Sequence, residues 1–105
     1  MQLSDYLRIP YLLEAQLAEL SPGVFVNRVA YPELPDCRAE SQDLESALRQ
    51  LERQRIITLV RMIDAGEMPS VPRPPLASSD PAWVAEQSDV PSDILGRIRR
   101  HSAAA

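Results

Sequence analysis

The sequence predicts an α+β fold, a small antiparallel sheet followed by one long helix and a short helical tail. Three observations predict it. Residues 11–31 are strand-like on either side of Ser21-Pro22-Gly23. Residues 43–65 space their apolar side chains at i, i+3, i+4 and i+7, as a helix with a buried face does. Between them, Pro32 and Pro35 remove ladder donors and force an extended, kinked passage.

Taken in order, residues 3–8 read as a short helical lead-in, with Ser4 or Asp5 near its start and Pro10 ending it. Residues 11–19 read as a half-buried strand, with Tyr11, Leu13, Ala15 and Leu17 on one side. Pro22-Gly23 suits a type II turn. Because that turn matches strand twist poorly, the spacing predicts a longer loop including Leu20 and Ser21. Residues 24–31, VFVNRVAY, form the second strand. Residues 37–41 give a short third one.

In the long helix, Asp43 is placed to cap the N-terminus by accepting from Ser46 N–H. Gly66 is placed to end it in a left-handed conformation. Leu44, Leu48, Leu51, Leu59 and Met62 make one core face. Glu45 with Arg49, and Arg61 with Asp64, are spaced to pair on the outside. The second half is greasier than one core face requires. Ile56, Val60 and Ile63 form a second stripe that needs cover. Either the chain's own tail provides it, with Trp83 as anchor, or another copy does. The expectation is self-association through Ile56, Val60 and Ile63, in at least a dimer.

Composition narrows the functions. The net charge is −4, and all eleven basic residues are arginine. That balance argues against a chain-wide grip on nucleic acid. The lone Cys37 excludes an internal disulfide and suits a reducing compartment. No stretch approaches the roughly 20 apolar residues of a membrane span, and the N-terminus lacks a signal pattern. A cytoplasmic protein without membrane contact is expected. A metal-dependent nuclease would need converging carboxylates; nothing brings Glu14, Glu19, Glu45 and Glu52 to one point. His101 has no ligand partner nearby, and Cys37 has no histidine to activate it. No catalytic residue, metal or cofactor is expected.

Three motifs carry a resemblance. They are Leu7-Arg8-Ile9-Pro10-Tyr11, Tyr31-Pro32-Glu33-Leu34-Pro35-Asp36-Cys37, and Asp43-Leu44-Glu45-Ser46-Ala47-Leu48. In that order they resemble the HicB family, antitoxins of HicA–HicB toxin–antitoxin systems, over residues 3 to about 76. Asp36 stands where the family usually has glycine, as a tolerated left-handed position allows. Ser21-Pro22-Gly23 lacks the acidic-Gly-Gly character common at that loop. The resemblance implies a partial ribonuclease H-like fold, β-β-β-α-β, with Met68–Val71 as a fourth, edge strand. It implies a HicB-like domain over 1–76, then a linker and helical tail over 77–105. In the tail, Asp80-Pro81 and Pro91-Ser92-Asp93 signal helices over 81–87 and 92–101.

The function implied is binding. A HicB-like antitoxin sterically neutralises a small basic HicA-like mRNA-cleaving toxin, and an acidic chain suits such a partner. A stand-alone HicB-like oligomerisation or adaptor module is the alternative. Many relatives carry a DNA-binding module in this tail. Residues 92–100 resemble its opening, but the tail is short, so specific DNA binding is not expected from this chain alone.

Overall fold

The β-rich residues flanking Pro22-Gly23 do pair with each other, in a computed structural model that describes residues 1–103 and side chains through Arg100. The strands β1 (Glu14–Ser21), β2 (Val24–Ala30) and β3 (Arg38–Ser41) form one antiparallel sheet in that order. Four helices accompany them: α1 (Leu3–Leu7), α2 (Leu44–Asp64), α3 (Pro81–Gln87) and α4 (Ser92–Ala103).

The hairpin departs from expectation at both ends. Its turn is the tight Pro22-Gly23 pair, with Gly23 at φ +79° and Ser21 opposite Val24. The twist mismatch is absorbed one step earlier, where the register slips between Glu19 and Ser21. At the other end β1 begins at Glu14, because Ala30 is its last partner. Leu12 N–H leaves the ladder and donates to Glu33 Oε1 at 2.6 Å.

The Tyr31–Cys37 passage closes on itself. Tyr31 N–H donates to the Cys37 carbonyl at 2.9 Å, and Leu34 N–H to the Tyr31 carbonyl at 3.0 Å. Asp36 adopts φ +50°, the left-handed conformation the motif requires. Leu34 and Cys37 point into the core.

Helix α2 is delimited as its sequence dictates. Ser46 N–H donates to the Asp43 carboxylate at 2.9 Å. At the far end Gly66 sits at φ +79°, its N–H donates to the Ile63 carbonyl at 3.1 Å, and Glu67 N–H reaches the Met62 carbonyl at 2.8 Å. That is the Schellman arrangement. The helix packs against β3 and β2 on the face of Val29 and Ala39. On its other side lie α1, α3 and α4.

Two expectations are corrected here. Met68–Val71 form no strand; the sheet has three strands and the order is β-β-β-α. The segment instead ties itself to residues 8–11. Tyr11 Oη donates to the Ser70 carbonyl at 2.8 Å, Arg73 Nη1 to the Pro10 carbonyl at 3.0 Å, and Leu76 N–H to the Arg8 carbonyl at 2.8 Å. With Pro69 and Pro72 unable to donate, isolated bonds replace a ladder.

The second correction concerns the tail, which is not a separate unit. Ala85, Ile94 and Ile98 belong to the same buried cluster as Leu3, Leu51 and Leu59. Arg97 pairs with Asp64 at 3.0 Å, and Arg53 Nε donates to the Asp89 carbonyl at 3.1 Å. Asp64 therefore has a cross-helix partner rather than the Arg61 its spacing suggested. The division at residue 76 does not divide the core.

Candidate interaction site

A helix apolar on all sides must be covered on all sides. Ile56 and Val60 are each 1 % exposed, and Ile63 is partly buried against the same cluster. The expected self-association surface is thus interior, sealed by the chain's own α1, α3 and α4. The physical reason is that α4 supplies Ile94 and Ile98, spaced i, i+4, as a matching apolar stripe. Trp83 is not the anchor of this packing. It is 59 % exposed on α3, while Ala85 on the same helix is fully buried. The small alanine lets α3 approach closely; the indole faces outward.

Exposed apolar surface is found instead on the β1–β2 hairpin. Leu12, Leu13, Leu17, Leu20, Val24 and Phe25 are all exposed, Leu17 to 64 %. The expected half-buried strand is corrected to one exposed along nearly its whole length, with Ala18 alone partly covered. β1 pairs with β2 on one edge and leaves the other open. It carries Glu14 and Glu19 and no basic residue. Glu19 turns back to accept from Gly23 N–H at 3.2 Å. On the outer face of the sheet a shallow groove of about 750 Å³ runs over Glu14, Gln16, Arg28 and Arg38. Arg28 there pairs with Glu40 across the strands at 3.0 Å.

A polar cluster that the periodicity did not single out lies on the opposite side of the core. Arg55 is only 7 % exposed. Its guanidinium bonds both carboxylate oxygens of Glu52, and its Nη1 donates to the Leu7 carbonyl at 2.9 Å. Tyr31 Oη donates to Glu52 Oε1 at 2.6 Å. Burial and the bond to this carboxylate push the Tyr31 phenol far above its ordinary range. Burial likewise pushes the Cys37 thiol up to about 11, against a smaller lowering by Arg55. A thiol so raised stays protonated at neutral pH and is no nucleophile. The cluster joins α1, α2 and the Tyr31–Cys37 passage at one point. The available signal was Arg55 standing four residues after Leu51 and four before Leu59, on the buried side of the helix, three residues after Glu52.

The remaining carboxylates do not converge. Glu52 is engaged by Arg55 and Tyr31, Glu45 pairs with Arg49 at 3.5 Å, and Glu14 and Glu19 lie on the hairpin. Among the described residues no three His, Cys, Asp or Glu side chains are grouped to hold a metal, and no helix is long and apolar enough to cross a membrane. The side chain of His101 lies outside the described residues. Comparison of the chain with protein-family models, with curated proteins and with solved structures returns no match.

Proposed function

We propose that this chain is a HicB-like antitoxin with a partial ribonuclease H-like fold, binding a small basic HicA-like mRNA-cleaving toxin and covering its catalytic surface. The observation that carries the reading is the Tyr31–Cys37 passage. It closes on itself between β2 and β3, with Asp36 in the left-handed conformation where the resembling family has glycine. The β-β-β-α order and the capped helix are those the resemblance implies, without its fourth strand. The acidic, exposed hairpin offers a surface complementary to a basic partner. Co-expression tests the reading. The expected outcome is that a neighbouring reading frame encodes a short basic protein which, expressed alone, arrests growth, and that this chain restores growth and co-purifies with it. A harmless neighbour, or arrest that this chain does not relieve, refutes the antitoxin reading and leaves the stand-alone module.

A second reading is favoured by the tail. Helices α3 and α4 are joined by a short turn in which Asp89 sits at φ +53°. Ala85, Ser88 and Ile98 are buried at their packing, and Arg100 is exposed on α4. Short-turn helix pairs of this build place their second helix in the major groove of DNA. These are the two helices that Asp80-Pro81 and Pro91-Ser92-Asp93 signal in the sequence. Binding to the chain's own upstream region, weakened by Arg100→Ala and by salt, tests it. Equal affinity for unrelated duplex refutes it.

A further inference from the structure

We infer that the open edge of β1 is a self-association site, at which two copies pair antiparallel through Leu17 to make one six-stranded sheet. This goes beyond the toxin-binding reading and does not depend on it.

The edge carries little protection beyond Glu14, Glu19 and the irregularity at its Glu19–Ser21 end. β1 is eight residues long and contains no proline, no lysine and no arginine. Natural proteins rarely leave such an edge bare, because its free N–H and C=O groups template pairing. β1 also lacks support of its own, since its packing is against β2. Two strands without cover are marginal in water. The six exposed apolar residues of the hairpin together present on the order of 500 Å². Leu17, the most exposed of them at 64 %, stands on the open strand itself.

The strand is also self-complementary. A two-fold axis through Leu17 sets Leu17 against Leu17 of the second copy. It sets Glu14 opposite Leu20, Ala15 opposite Glu19 and Gln16 opposite Ala18. No glutamate then faces a glutamate, which cross-strand pairing penalises. With the axis at Leu17, both copies carry α2 on the same side of the joined sheet. Leu17, which shares the face of Val29 but lies beyond the cover of α2, then meets its counterpart across the seam.

The test uses the full chain. Light scattering at micromolar concentration gives twice 11.7 kDa. Leu17→Glu weakens the dimer ~100-fold, with far-ultraviolet dichroism unchanged because Leu17 is exposed. Leu17→Cys cross-links to itself on mild oxidation, since directly opposed Cα atoms lie about 4.5–5.5 Å apart, within disulfide reach. Glu14→Cys does not, its counterparts being about 20 Å apart. A monomer throughout overturns the inference. So does a dimer that Leu17→Glu leaves intact, or one in which Leu17→Cys fails to cross-link. A chain monomeric alone whose β1 amides gain protection only with a basic protein bound assigns the edge to that partner and overturns self-pairing. Failure of toxin rescue with the cross-link intact refutes the antitoxin reading alone.

Discussion

Leu17 and Val60 sit in segments of similar apolar character, yet one is 64 % exposed and the other 1 %. The difference is position. Val60 lies near the C-terminal end of α2, with the sheet on one flank and α1, α3 and α4 on the other. Leu17 lies on the outermost strand, past the reach of α2. A stripe that exceeds one core face therefore identifies a second core face when the chain has another apolar helix to spend on it. An alternating strand identifies a half-buried position only when something stands over the sheet. The contrast teaches that spacing reports which side chains share a face, while the inventory of covering elements decides whether the face is dry.

The contrast is most severely tested by removing the cover. Deleting 77–105 strips α3 and α4 from Ile56 and Val60. The loss, on the order of 5–10 kcal/mol, equals a typical domain's whole stability. The truncated chain is expected to aggregate and to show no cooperative urea transition.

Arg55→Ala comes next. It leaves the Glu52 carboxylate beside Tyr31 without its cation and the Leu7 carbonyl without its donor. Breaking such a pair costs about 3–5 kcal/mol, read from the urea midpoint at constant m. Adding Glu52→Leu recovers part of it, because the orphaned charge is then gone.

Ile56→Ala is expected to cost about 2–5 kcal/mol, whereas Trp83→Ala, at an exposed site, stays within about 0.5 kcal/mol. Equal losses in thermal melts would erase the distinction between the covered stripe and the bare indole.

A local effect separates the strap at residues 70–76 from both. The Arg73 side chain, and then Leu12 N–H, hold the Glu33 carboxyl below its usual value of 4.5. A depressed carboxyl stabilises the folded state fully above its unfolded value and ceases to as pH falls through the folded one. Acidification through that lowered value is thus expected to release the strap. The amide of Leu76, bonded to the Arg8 carbonyl, should lose hydrogen-exchange protection while α2 keeps its own.

Features decided by near neighbours were legible in the sequence. Asp43 and Gly66 cap α2 because a cap needs only residues one turn away. Asp36 adopts its left-handed conformation, and α3 starts at Asp80-Pro81, for the same reason. Features that need a distant partner were not. The fate of Ile56 and Val60 depends on Ile94 and Ile98, some forty residues on. The extended segment after α2 has strand-like residues, but whether it pairs depends on what lies beside it, and Tyr11 and Arg8 offer single bonds rather than an edge. The open edge of β1 was hidden for the mirror-image reason. Alternation is the same whether or not anything covers it.

The meeting of α1 and α4 has a consequence for synthesis. α1 is five residues long, too short to hold as a helix by itself. Its docking needs Arg55 on the Leu7 carbonyl and α4 beside it. On the ribosome α1 emerges before the sheet and α4 after α2. The sheet and α2 can assemble while Leu3, Tyr6 and Leu7 wait, so the slowest closure joins the most distant contacts. A nascent chain stalled before Ser92 holds a paired hairpin and a capped long helix around a core still open to water at Ile56 and Val60.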